Sequence, residues 1–130
     1  MSSDALRDAL APFVGDGTLV VVSSDLTHYG RRFDYLPVPA TDAATVAAAV
    51  RALDDRALER IVAGDADGFV RHVEETGDTI CGREPIEILL RALPAGARGE
   101  RIAYATSLEL TGDYEHSVSY AAVAFAPAAA

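Results

Sequence analysis

The sequence predicts a single α/β domain, with helices flanking a sheet, and three observations carry that expectation. The run TLVVV at residues 18–22 is short, β-branched and without polar alternation, as buried parallel strands tend to be. Between residues 42 and 93, apolar positions recur at helical spacing in successive stretches. Residues 101–110 and 116–126 then return to strand-like composition. With 130 residues, half of them hydrophobic, the chain can bury a core without disulfides.

The first stretch, DALRDALAPF at 4–13, sets Ala5, Leu6, Leu10 and Phe13 on a helical spacing behind an N-cap candidate, Asp4. Gly15 and Gly17 end it before strand 18–22. SSDLTHYG follows, then RRFDYLPVPA, a loop punctuated by Pro37 and Pro39. Thr41 and Asp42 open a helix over 42–53, with Val46, Ala47, Val50 and Leu53 on one face. Asp54 and Asp55 begin a further short helix closed by Gly64. Residues 66–76 form a third, with Phe69, Val70 and Val73 inward and Gly77 as its stop. A fourth spans 82–93: Pro85 suits a first turn, and Ile86, Leu89, Leu90 and Leu93 form its stripe. TGDYE joins the last two strands, and the tail APAAA is expected to fray. Three strands are few beside so many helices. The edge of strand 18–22 is therefore expected to need partners that this chain does not supply.

Composition narrows the function. The chain has no Lys, Asn, Gln or Trp, and every basic residue is Arg. A GC-rich genome or a salt-rich cytosol would each produce that pattern. A net charge of −9 argues against sequence-independent nucleic-acid binding, which rests on basic patches. No segment approaches the ~18 uninterrupted apolar residues of a membrane span. The opening MSSDALRDAL carries acids and no long apolar run, so no signal peptide is expected. The single cysteine, Cys81, excludes an intramolecular disulfide framework and fits a reducing, cytoplasmic setting.

Two segments concentrate reactive side chains. In SSDLTH the strand runs into a polar loop, and the carboxyl ends of strands are where open α/β sheets bind ligands. Asp25 and His28 stand three apart, so on a helical turn they would project from one side. His28 is a candidate acid, base or metal ligand, and Asp25 its partner; the alternative is a capped turn with a solvated histidine. In TICGREP, Cys81 precedes a helix whose dipole, with Arg83, favours a thiolate; the alternative is a small buried apolar residue. His72 reads as structural or surface, and His116 as part of a turn. The pairs Asp54–Asp55 and Glu74–Glu75 read as caps and solvated faces. The sequence contains no zinc-ligand spacing, phosphate loop or GxSxG elbow.

VVVSSDLTHYGRRF, ETGDTICGREPIEILLRAL and DYEHSVSYAAVAF, taken together, resemble the C-terminal half of the Memo family. Its prokaryotic members are called AmmeMemoRadiSam system protein B. The resemblance runs from about Leu19 to Phe125, in order. It implies an α/β/α layered fold similar to class III extradiol dioxygenases, of which this chain would be one partial domain, residues 1–130, holding roughly the C-terminal half. In those dioxygenases two histidines and a carboxylate hold non-heme iron. In Memo a cysteine takes the third place, and Cys81 stands at that motif. His28 matches the dioxygenase acid/base histidine near the metal, and Asp25 a neighbouring pocket residue. A thiolate shifts the preference toward copper or thiolate-compatible iron.

The family's two ligand histidines belong to its N-terminal half, and neither His72 nor His116 matches them. One copy is thus expected to hold an incomplete site, completed by a homo-oligomer or by a separate N-terminal half. The resemblance implies a metal-dependent redox or dioxygenase-type activity. A second implication is a non-catalytic module for a phosphorylated or otherwise anionic peptide or small-molecule ligand. Arg31 and Arg32 are its candidate anion ligands, since arginine suits phosphate; the alternative for the pair is a solvated loop. A third is an inactive half-domain that assembles with a partner.

Overall fold

The computed structural model describes residues 2–15 and 17–126. In chain order the elements are α1 (Ser3–Leu10), β1 (His28–Gly30), α2 (Ala43–Val62), α3 (Ala66–Thr76), α4 (Arg83–Ala92), β2 (Gly99–Thr106), α5 (Ser107–Thr111) and β3 (His116–Phe125). Short 3-10 turns follow α1 at Ala11–Phe13 and β1 at Arg31–Phe33. The strands form one antiparallel sheet in the order β1-β3-β2. Helices and a small sheet together make the expected α/β fold. None of the described helices is long and apolar enough to cross a membrane.

The core forms where the helix stripes meet the sheet. Leu58 and Ile61 of α2, Phe69 and Val73 of α3, and Ile86 and Leu90 of α4 are buried together with Leu26 and Ile80. Tyr104 of β2 and Val123 and Phe125 of β3 pack against them. Removing that apolar surface from water is the main stabilising term. A second cluster joins Tyr29 to Val46, Val50 and Leu108. Gly77 ends α3 in the left-handed region at φ 66°, as its place after the apolar stripe predicts.

Four elements depart from the sequence reading. Residues 18–22 form no strand: Leu19 is 87% and Val21 75% exposed, and the backbone N–H groups of 19–24 have no backbone acceptor among the described residues. A parallel strand needs neighbours on the same sheet, and the antiparallel β1-β3-β2 sheet offers this run none. The helices expected at 42–53 and from 54 onward are one helix, α2, because Asp54 finds tertiary partners and does not cap. The strand expected over 101–110 stops at Thr106, where α5 begins. There Thr106 and Glu109 form a capping box. Ser2, not Asp4, caps α1. The fraying expected of APAAA falls beyond Ala126, outside the described residues.

Candidate metal centre

Three short segments meet where residues 23–28 approach the N-terminus of α4. The Leu26 N–H donates to the Ser119 carbonyl (2.9 Å) and the Ser119 N–H to the Thr27 carbonyl (3.1 Å), fastening the segment to β3. On its other side the Gly82 N–H donates to Ser24 Oγ (2.9 Å), and Ser24 Oγ donates to the Asp25 carbonyl (2.7 Å). The Asp25 N–H donates to Cys81 Sγ at 3.3 Å. Cys81 therefore stands just outside the first turn of α4 with its sulfur turned toward the 24–25 backbone.

His28 is held more rigidly. Its N–H donates to Thr79 Oγ1 (2.8 Å), and that hydroxyl donates back to the His28 carbonyl (2.7 Å). Its Nδ1 lies 2.9 Å from the Leu26 carbonyl and 3.0 Å from the Thr79 carbonyl. Carbonyl oxygens only accept, so Nδ1 carries the hydrogen and, in the neutral ring, Nε2 keeps its lone pair. The Phe33 ring packs edge-on against the imidazole, centroids 5.0 Å apart. Nε2 faces Asp25 Oδ2 at 4.0 Å.

One ligand atom each from Asp25, His28 and Cys81 lies within 4.8 Å of the other two. The side chain of His28 is 18% and that of Asp25 46% exposed, while Cys81 is exposed, so the three donors border solvent. A carboxylate, an imidazole with its outer nitrogen free and a thiol are a donor set suited to a transition metal. The carbonyls on Nδ1 are the outer contacts that orient metal-bound histidines.

The structure thus brings Asp25, His28 and Cys81 together. The approach of Asp25 to His28 arises in irregular chain leading into β1, not on the helical turn their spacing suggests. Arg31 and Arg32 lie exposed on the turn after β1 and make no hydrogen bond or ion pair to the cluster among the described residues. His116 opens β3 and faces Asp113 at 3.6 Å.

Sequence reasoning missed what lies behind the site. Asp54 is fully buried, accepts from the Thr27 N–H and the Tyr104 hydroxyl, and lies 2.7 Å from the Thr27 hydroxyl. His72 is buried against Asp78 at 3.1 Å. A signal for Asp54 existed: it falls on the same helical stripe as Val46, Val50 and Leu58, where a carboxylate requires a partner. Burial dominates Asp54 and holds its carboxyl above the usual carboxylate range. Tyr104 is pushed above the usual phenol range, by burial first and then by its bond to Asp54.

Residues 3–124 match the family model described as Memo-like protein. A MEMO1 family protein of Methanopyrus kandleri is 34% identical over 110 residues, covering 83% of this chain and 34% of that protein. One of Thermococcus kodakarensis is 29% identical over 114 residues, covering 86% of this chain and 39% of its own. A memo-1 homologue of Caenorhabditis elegans is 30% identical over 114 residues, covering 79% and 31%. The chain thus spans between about a third and two-fifths of the length of these curated relatives. With nearly the whole sequence inside the family model and the Asp25–His28–Cys81 cluster formed, the chain belongs to the Memo-like family.

Proposed function

We propose that this chain contributes Cys81, His28 and Asp25 to a metal-dependent redox centre of dioxygenase type, completed by ligands from a partner polypeptide. The convergence of the three donor atoms within 4.8 Å carries the reading. Cys81 Sγ and His28 Nε2 are ligands, the Leu26 and Thr79 carbonyls on Nδ1 orient the imidazole, and the Asp25 carboxylate beside Nε2 is the third donor or a contact for bound substrate. Where the partner supplies the ligands, His28 is free to serve as acid or base beside the centre. Iron or copper suits a set that includes a thiolate, and either would supply oxygen and one-electron chemistry when bound. Three donors do not fill a coordination sphere, and the relatives carry roughly twice as much chain again as the stretch matched here. The partner is a second copy or a separate polypeptide holding the remainder of a Memo-like protein. The single free cysteine supports a reducing, cytoplasmic setting.

Titration of the protein with Co²⁺ under anaerobic conditions tests the reading. The expected result is a near-ultraviolet thiolate-to-cobalt band, abolished by Cys81→Ser and weakened by His28→Ala. No band, either for the chain alone or after co-expression with a polypeptide supplying the rest of a Memo-like protein, would overturn it.

A second reading is a binding module for phosphorylated or otherwise anionic ligands. Its support is that Arg31 and Arg32 are both exposed and without an ion pair among the described residues, on the turn that follows the strand opened by His28. Binding of inorganic phosphate or a phosphopeptide that survives Arg31→Ala/Arg32→Ala would refute it.

A further inference from the structure

Behind the candidate centre lies a buried polar chain that the proposed chemistry does not use. Thr27 is fully buried, and its Oγ1 lies 2.7 Å from Asp54 Oδ1 and 2.8 Å from Asp78 Oδ1. A threonine hydroxyl owns one proton. With both acids ionised, one of those two contacts would set lone pair against lone pair with no hydrogen between them. At buried groups such a contact is costly, and it would add a second carboxylate charge.

We infer that Asp54 and Asp78 hold one acid proton between them through Thr27, and that this bridge positions His28. The proton resides on Asp54. Among the described residues neither a cation nor an imidazole faces Asp54: its Oδ2 accepts from the Tyr104 hydroxyl and its Oδ1 also receives the Thr27 N–H at 3.2 Å. Asp78 Oδ2, by contrast, faces His72 Nε2 at 3.1 Å, and both side chains are almost wholly buried. The charge therefore belongs beside the imidazole, on Asp78. Asp54 donates to Thr27 Oγ1, and Thr27 donates to Asp78. Tyr104 of β2, His72 of α3 and Tyr35 of the loop after β1 are the other titratable groups around the pair; Arg51 of α2 lies over the Tyr104 ring and Arg56 of α2 faces Tyr35.

The positioning follows from chain connectivity. Thr27 directly precedes His28, and Asp78 directly precedes Thr79. His28 and Thr79 are the two residues locked to each other by the paired bonds and the Nδ1–carbonyl contact. The bridge thus ties together the two backbone segments that set the imidazole against Cys81. Its relevance to a metal rests on the proposed function, whereas the proton arrangement does not.

Two metal-free NMR measurements test it. Carboxyl ¹³C shifts, assigned with Asp54→Asn and Asp78→Asn, should show Asp54 protonated and Asp78 ionised at pH 7. Two ionised carboxylates would overturn the shared proton. Imidazole ¹⁵N shifts of His28 should report the Nδ1–H tautomer in the native protein and in Thr27→Ser, which keeps the hydroxyl. In Thr27→Val they should move toward a tautomer mixture. An unchanged Nδ1–H signature in folded Thr27→Val would overturn the positioning role. If that variant does not fold, loss of the tautomer in Thr27→Ser would overturn it instead.

Discussion

A Cβ at Gly82 would run into the Ser24 side chain, whose hydroxyl accepts the Gly82 N–H. The close approach that brings Cys81 under Asp25 therefore requires glycine. Gly82→Ala should separate the two segments, lowering Co²⁺ affinity by about tenfold or more. Overpacking should cost about 1–3 kcal/mol of stability. Metal titration and urea denaturation read the two effects separately. Two acids carry opposite pH signatures. Burial raises Asp54 above its ordinary 3.8, so the folded state binds more protons than the unfolded one between 3.8 and that raised value. Its contribution is full below 3.8 and is lost as pH rises through the raised value. Asp42 is lowered, first by the Thr45 N–H and then by the Thr45 hydroxyl. Its contribution is present above the ordinary carboxylate range and is lost as pH falls through the lowered value. Urea midpoints across the acid-to-neutral range should lose the first trend in Asp54→Asn and the second in Asp42→Ala.

At the scale of elements, α2 decides the fold, since one face of it meets the core and the buried acid bridge together. Leu58 is almost wholly buried at the centre of the main cluster. Leu58→Ala should cost about 2–5 kcal/mol by chemical denaturation, toward the upper end if the cavity stays open. Helices α2, α3 and α4 are legible because their stripes have helical period and their ends carry Gly64, Gly77 and Pro85. The split wrongly placed at Asp54 has a physical cause: an aspartate in a stripe reads as a cap when its buried partners are distant in sequence. The end of β2 was misread for a local reason, because TSLE satisfies a capping box that outweighs the strand-like residues around it.

At the scale of the whole molecule, the exposed residues 18–21, with half-buried Val22, border a cleft of about 760 Å³, also lined by Ile86, Leu90, Val123 and Phe125. Apolar surface of this extent with unpaired backbone beside it favours association. Sedimentation velocity of the chain alone should show concentration-dependent self-association, or complex formation when a partner polypeptide is supplied. Leu19→Glu with Val21→Glu should abolish either. A wild-type chain that stays monomeric in both settings would count against the partner-completed centre. Metal uptake by the assembled protein should release protons and weaken in acid, since thiol and imidazole must be deprotonated to ligate.

The sequence by itself determined the α/β class, the helical stretches and the residues of the candidate centre. Helical period, end residues and the SSDLTH and TICGREP motifs are local signals, readable without the fold. Tertiary structure alone decided that TLVVV would stand unpaired, that Asp25 would meet Cys81 56 residues away, and that Asp54 would share a buried bridge with Thr27 and Asp78. Strand pairing and the satisfaction of a buried charge both depend on groups distant in the chain, and only folding brings those groups within a hydrogen bond's reach.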